Sequence, residues 1–357
     1  MKKLLSLTLA LIMALTLLIL PAAAEQAPQI VLRYGVLSML NMPEEEMANY
    51  MIACFLSSQQ KAKSGLDTQT IAAKPASIPK QMCIYFDSLD AMLMALNAGE
   101  ISSMIIYDKV ADYLCANNDQ LAKSLMISEP EEGQVFATLV SDTLGSNDFS
   151  FMMMEGNEEL RDTFNAVIEE IRNDGDGTLD KLAADYILAP IAGEEIVPVQ
   201  MPEIDDPNPI RVAITGSLPP MDYIAPDGTP AGFNTAILAE ISKRINRKIE
   251  LVQVDSMGRA AALASGQVDA VFWTRTNNTS NEIAGYTDEE KAAKVEEFNA
   301  QLTDEEKAVL DRLSQLVDIS GLGKIDMPEG TIITVPYYSD RIVPVVNTAI
   351  LNAAMGR

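Results

Sequence analysis

The chain contains no histidine. That removes imidazole zinc ligands, Ser-His and Cys-His nucleophile pairs, and the commonest general base near neutral pH. Cysteine is scarce, with only Cys54, Cys83 and Cys115. An odd count at irregular spacing is no disulfide framework, and one bridge or three buried thiols both stay open. Tryptophan occurs once, at Trp273. Basic residues number 26 against 51 acidic ones, for a formal charge of −25. A surface this acidic repels nucleic acid and anionic membranes, so nucleic acid is not an expected partner. The sign of a small ligand stays open, because a local pocket can oppose the global charge. Beyond residue 20, no apolar run approaches the ~18 residues of a membrane span.

What is present starts at the N-terminus. Met1-Lys2-Lys3, an apolar run from Leu4 to Leu20, and Ala22-Ala23-Ala24 make the three regions of a secretory signal peptide. Cleavage is expected after Ala24, which makes residues 1–24 the signal and the protein secreted or extracytoplasmic, in a periplasm or at a cell surface. No Cys follows the cleavage point, so no lipid anchor is expected. About 330 residues remain, more than one core usually organises, and two domains are expected. Residues 189–209 carry five prolines without a helical period. The extended linker is placed at 191–207, between domains at 26–190 and 208–357.

Residues 210–273 hold the richest order of signals. A short apolar strand runs into Pro219-Pro220, then come an Asp227-Gly228 turn and Gly232-Phe233-Asn234. An amphipathic helix, a strand, a helix ending at Gly266 and a strand opening at Asp269 follow. That succession predicts an open α/β sheet, whose ligands sit at strand ends. Part of it is repeated. Residues 87–105 align with 255–272 with one gap, placing Asp87-Ser88 on Asp255-Ser256, Ala95-Leu96 on Ala262-Leu263, and Gly99 on Gly266. Each copy reads as a helix, a Gly suited to αL geometry at its C-terminal end, and a strand.

The first domain is read as strands near Ile30–Leu37, Met82–Phe86, Ile101–Tyr107 and Phe149–Met154. Its helices are expected at Pro43–Ser57, Asp108–Ala116, Glu158–Arg172 and Leu179–Leu188, and residues 58–80 as a loop. Met152-Met153-Met154 is read as packing within a strand. Asp174, Asp176 and Asp180 lack the Gly and Glu positions of an EF-hand and read as a turn between helices, with no metal. The second domain carries an acidic insert at 287–318, opened by the capping boxes Thr287-x-x-Glu290 and Thr303-x-x-Glu306. A strand at Thr331–Val335, then Pro336-Tyr337-Tyr338 and a last helix toward Met355, closes the chain.

Pro219-Pro220-Met221, Asp227-Gly228, Gly232-Phe233-Asn234 and Leu263-Ala264-Ser265-Gly266-Gln267-Val268-Asp269, in that order, resemble family 3 of the bacterial extracellular solute-binding proteins, which serve ABC importers of polar amino acids. The likeness covers about 90 residues; residues 151–188 resemble the family's closing strand and terminal helices more weakly. The resemblance implies an α/β fold of periplasmic-binding-protein-like type II lobes, here as two shortened tandem modules. It implies no catalysis and no cofactor; the partners it implies are a small polar solute, such as an amino acid, and membrane permease subunits. The family's ligand-gripping Arg, about twelve residues after the Asp of Gly-x-x-Asp, is missing; that position lies near Asn281. A charge-assisted pair of that kind contributes roughly 1.5–3 kcal/mol. Met221 replaces an expected aromatic, and Asn234 an expected Asp.

The candidate ligand-binding residues are Met221, Tyr223, Phe233, Asn234, Trp273, Thr274, Arg275 and Tyr337. Trp273, Thr274 and Arg275 end a strand at the ligand edge of the sheet, and Arg275 is the replacement cation. A lone Trp is as readily core as platform, and Tyr337 and Tyr338 beside Pro336 suit packing or a hinge as well as binding. Tyr107 and Asp108 are the repeat's counterparts of Thr274 and Arg275. A second function class, a ligand-free scaffold docking through 287–318, fits the missing Arg and aromatic.

Overall fold

The computed structural model describes residues 31–44, 47, 48, 50, 51, 80–123, 146–194, 198–276, 300, 304, 307 and 327–350. The expected signal peptide, the 58–79 stretch, Cys54 and nearly all of the 287–318 insert lie outside them. Thirteen strands are described: β1 Val31–Leu37, β2 Lys80–Phe86, β3 Ser103–Tyr107, β4 Leu121–Lys123, β5 Ser146–Met154, β6 Ile210–Ile214, β7 Ser217–Leu218, β8 Asp222–Ile224, β9 Pro230–Ala231, β10 Ile249–Gln253, β11 Ala270–Thr276, β12 Thr331–Ile333 and β13 Tyr338–Asn347. Helices of two turns or nearly so are α1 Leu89–Asn97, α2 Asp108–Asn117, α3 Glu158–Asn173, α4 Thr178–Ala183, α5 Phe233–Ile245 and α6 Arg259–Ala264. The expected helix at 43–57 is helical at its described residues 44, 47, 48, 50 and 51.

Ten strands form one mixed sheet in the order β10-β6-β11-β5-β13-β3-β1-β2, with β12 on β5 and β4 on β13. The order is two copies of one pattern. In the first copy β1 lies between β2 and β3, all parallel, and β13 and β4 follow antiparallel. In the second, β6 lies between β10 and β11, all parallel, and β5 and β12 follow antiparallel. Each unit therefore takes its antiparallel strand from the other half of the chain. The modules expected to run in tandem are interleaved: β5 precedes the 191–207 linker and β13 follows it, yet the two pair from Tyr338↔Phe149 to Arg341↔Ser146.

The fold is α/β, as expected, and the repeat occupies equivalent places. β3 is buried along its whole length, the signature of a strand covered on both faces. Alternation divides β11: Phe272 joins the main core with Phe149 and Phe151, whereas Val271 and Trp273 pack with Met152 and with Ala262 and Leu263 of α6. α3 buries Phe164, Val167, Ile168 and Ile171 at helical spacing. Gly99 and Gly266 close α1 and α6 at φ 73° and 70°. Their N–H groups reach Leu96 O and Leu263 O, and the next residues reach Ala95 O and Ala262 O. The same left-handed cap thus ends both copies.

The last helix expected toward Met355 is helical at its described residues 348–350, and residues 338–347 form the longest described strand, which the sequence reading did not place. Pro344 within it argues against a central strand on sequence alone. It lies where one flank of β13 passes from β5, paired through Arg341, to β4, paired from Val345. On the other flank Pro344 pairs with Ile105 of β3.

Candidate functional site

The parallel strands of both units end toward a common seam. β1 runs into a short turn, Ser38–Leu40, closed by Asn41 at φ 54°. Asn tolerates that left-handed geometry better than most side chains. β3 ends at Tyr107 and β11 presents Thr274, the repeat-equivalent pair read from the sequence. The Tyr107 hydroxyl donates to Thr274 Oγ1 at 2.7 Å, and Thr274 donates onward to Met39 O at 2.8 Å. Asn41 Nδ2 donates to Thr274 O at 2.9 Å. Tyr107, Thr274 and Met39 are all buried. Burial drives the Tyr107 phenol well above its usual range, so it stays a neutral donor.

Arg259 joins the same seam. It opens α6, donates Nε to Ser256 O at 3.0 Å and Nη1 to Phe272 O at 2.6 Å, and reaches Asn41 Oδ1 at 3.3 Å through Nη2. Its guanidinium lies 5.0 Å from the Trp273 ring centroid, a cation–π distance. The side chain is 1% exposed. Desolvation lowers its pKa to about 10, against the pull of Tyr107 and Asp222. It remains a cation at neutral pH. Sequence reasoning missed Arg259, Asn41 and Met39. A signal for Arg259 was present: counting back from Ala95 and Ala262, it stands in the repeat where the first copy buries Met92.

The other candidates divide. Met221, Phe233 and Tyr337 are core residues of one cluster, and Trp273 belongs to another. Gly232, at φ 98°, lies so close to Pro220 O and Met221 O that a Cβ there would sit 2.7 Å from each. Phe233 N and Asn234 N then donate to those same two carbonyls, which joins the Pro219-Pro220-Met221 turn to the start of α5. Tyr337 OH donates to Asn234 Oδ1 at 2.9 Å. Tyr223 lies on the small β7-β8-β9 sheet, its phenol pushed up to about 12 by burial. The Arg275 side chain lies outside the described residues; its backbone pairs with Asp148. Asp108 does not enter the seam bonds. It shares Lys109 and Lys123 with Asp112.

Beneath the seam, Asp222 is buried and accepts from Thr215 N, Thr215 Oγ1 and Gly216 N at 2.7, 2.8 and 3.1 Å. Burial raises its pKa although these bonds oppose the rise. Asn234 Nδ2, Ser150 Oγ and Trp273 Nε1 are buried without a hydrogen-bond partner among the described residues. Such atoms cost roughly 1–3 kcal/mol each. Asp174 spends its carboxylate on Thr178 N and Arg244. Among the described residues no cluster of three or more His, Cys, Asp or Glu side chains could hold a metal ion. No described helix is long and apolar enough to cross a membrane.

Residues 210–285 match the family of bacterial extracellular solute-binding proteins, family 3, over the segment that carries the motif order. No curated protein matches the chain. Among solved structures it is similar to the ligand-binding component of an ABC-type import system from Staphylococcus aureus, at 10% identity over 92% of this chain and 69% of that one, TM-score 0.38. It is also similar to the periplasmic aliphatic sulphonate binding protein SsuA from Escherichia coli, at 14% identity over 92% and 69%, TM-score 0.30. A third is the periplasmic nitrate-binding protein NrtA from Synechocystis PCC 6803, at 11% identity over 70% and 48%, TM-score 0.31.

Proposed function

We propose that the protein is an extracytoplasmic solute-binding protein that holds a small polar solute, amino acids included, between its two α/β units and delivers it to the permease of an ABC importer. The observation that carries this reading is the meeting of Tyr107 and Thr274. Two equivalent strand ends, one inside the segment that matches the solute-binding family, face each other across a seam crossed by β5 and β13. In this reading the lobes are residues 31–123 with 342–350, and residues 146–341. The seam opens by bending at β5 and β13 and closes on the solute, whose contacts to both lobes stabilise the closed form. Thr274, Trp273 and Arg275 provide the matched lobe's edge. Met221, Tyr223, Phe233, Asn234 and Tyr337 shape the wall behind it. Removal of residues 1–24 by export belongs to the same reading, as does the absence of any catalytic role.

Calorimetry and thermal-shift measurements against amino acids, short peptides and other small polar solutes test it. A saturable response to one class is expected, and no response at millimolar concentration would sink it. The hydrogen bonds that join the two units directly favour a second reading, a ligand-free scaffold that keeps the fold. That protein would bind a partner protein through residues 287–318 and no solute.

A further inference from the structure

Asp340 sits where β13 passes from one unit to the other. Tyr338–Arg341 pair with β5, and Ile342–Val345 pair with β3. Its side chain bridges that junction. Oδ2 accepts from Lys109 N, in the first turn of α2, at 3.0 Å, and Oδ1 accepts from Arg341 N at 2.8 Å. Tyr107, which precedes α2, makes no side-chain cap of its own, so the capping carboxyl comes from the strand that joins the units. Among the described residues the cations beside Asp340 are already matched. Lys109 and Lys123 make ion pairs with both Asp108 and Asp112. An ionised Asp340 would add a third carboxylate to two lysines, in a chain whose formal charge is −25. The other groups on its face carry no charge: Tyr107 and Tyr338, whose phenols burial holds well above their usual range, and Asn147 opposite on β5. Arg341 and Asp148 fall on the other face by alternation, where Asp148 accepts from Ser339. Burial, with Asp108 adding, pushes the Asp340 carboxyl up to about 7, against the two N–H bonds and the Lys109 charge. Few other groups compete for that range. The chain has no histidine, and burial raises the Cys83 and Cys115 thiols. Asp222, the other carboxyl that burial raises, spends its oxygens inside one unit, on Thr215 and Gly216.

We propose that the protonated Asp340 carboxyl is a latch that keeps the two units closed, and that its ionisation opens the seam, so that solute is retained in mild acid and released above neutrality. The retention and release of solute rest on the proposed solute-binding reading; the opening itself does not. In the open form water reaches Asp340 and its pKa returns toward 3.8, so closure takes up a proton between that value and about 7. The advantage of the closed form is complete below the lower value and is lost as pH rises through the upper one.

The test uses the full mature chain without solute, at constant ionic strength. Hydrogen exchange of residues 338–345, corrected for its intrinsic pH dependence, reads opening even where the open form is minor. Trp273, the only tryptophan and buried at the seam, reports the same event through acrylamide quenching. Protection of 338–345 should fall about 10- to 100-fold between about pH 5.5 and pH 8.5, with Trp273 more readily quenched and far-UV circular dichroism unchanged. Asp340→Asn keeps an acceptor and cannot ionise, so it should flatten both responses. Lys109→Gln keeps the donated N–H and removes the opposing charge; it should move the midpoint to higher pH, and it decides if Asp340→Asn does not fold. No response in the parent would overturn the latch. So would a response that persists in Asp340→Asn, which would then belong to Asp222 or the chain's amino terminus. An equal fall in the protection of β6, which lies inside one unit, would make the loss global and overturn it too. The amino-acid and peptide panel, run at both pH values, separates the two readings. Solute affinity equal at both would overturn the latch and leave solute binding standing. A seam that titrates as expected with no solute response would keep the latch and sink solute binding.

Discussion

Thr274 shows what one hydroxyl does at the seam. It accepts from Tyr107 and donates to Met39 O, so a single atom satisfies two buried groups from the other unit. Replacing it by valine keeps the volume and leaves the Tyr107 hydroxyl and the Met39 carbonyl to a single long bond of 3.4 Å. Thr274→Val should therefore lower stability by about 1–3 kcal/mol, read as a lower urea midpoint, and Thr274→Ser should recover most of the loss. Equal stability of all three would show that the relay carries no weight. The sequence located Thr274 and Tyr107 separately, through strand-end position and the repeat. It could not show that they touch, because contact depends on strands from opposite halves of the chain lying side by side. Arg259 stayed hidden for a different reason. An arginine at the head of an alanine-rich helix ordinarily reads as solvated, and its burial depends on Phe272 and Asn41, distant in sequence.

At the scale of elements, β13 is where local pattern misled and where a titrating group sits. Its apolar run Ile342-Val343-Pro344-Val345-Val346 has the composition of a buried strand, but a proline inside it disfavours one. The helices and parallel strands were legible because their periods are local: α3 keeps its apolar face and α1 its Ser88 cap whatever surrounds them. A crossing strand is specified by both its flanks at once. Asp340, 8% exposed on this strand, accepts from Lys109 N and Arg341 N at 3.0 and 2.8 Å. Burial pushes its carboxyl up to about 7; those two bonds and the Lys109 charge oppose the rise, and Asp108 adds to it. The native state then holds a proton that the unfolded chain releases near the usual 3.8. This contribution to stability is complete below about pH 4, falls as pH rises toward 7 and is gone above it, a change of up to about 4 kcal/mol. Urea midpoints of the parent should thus fall more steeply between pH 5 and pH 8 than those of Asp340→Asn. Parallel slopes would mean that Asp340 is ionised in the native protein throughout.

For the whole molecule, the interleaving matters more than the repeat. Composition and the proline-rich 191–207 segment point to two consecutive domains, whereas the ten-stranded sheet joins strands from both sides of that segment. The division along the chain is what the sheet rearranges, because β5 completes the unit built from β6, β10 and β11, and β13 completes the one built from β1, β2 and β3. No local signal announces such an exchange. A strand that pairs inside its own domain and one that crosses to another have the same alternation and the same propensities. The physical consequence is that neither half owns a complete sheet. A fragment of residues 25–190 leaves β3 with an open edge where β13 belongs, and keeps β5 without β11. A fragment of residues 191–357 exposes β11 along the flank that β5 covers, including Phe272 and Trp273, which are buried in the intact protein. Exposed apolar strand edges of this kind favour aggregation over folding. Each fragment alone should therefore show no cooperative urea transition. An equimolar mixture, refolded together, should regain one, and the full chain should unfold in a single step by circular dichroism and by Trp273 fluorescence. Two independent transitions, one from each isolated fragment at its position in the full chain, would mean that β5 and β13 contribute nothing the halves require.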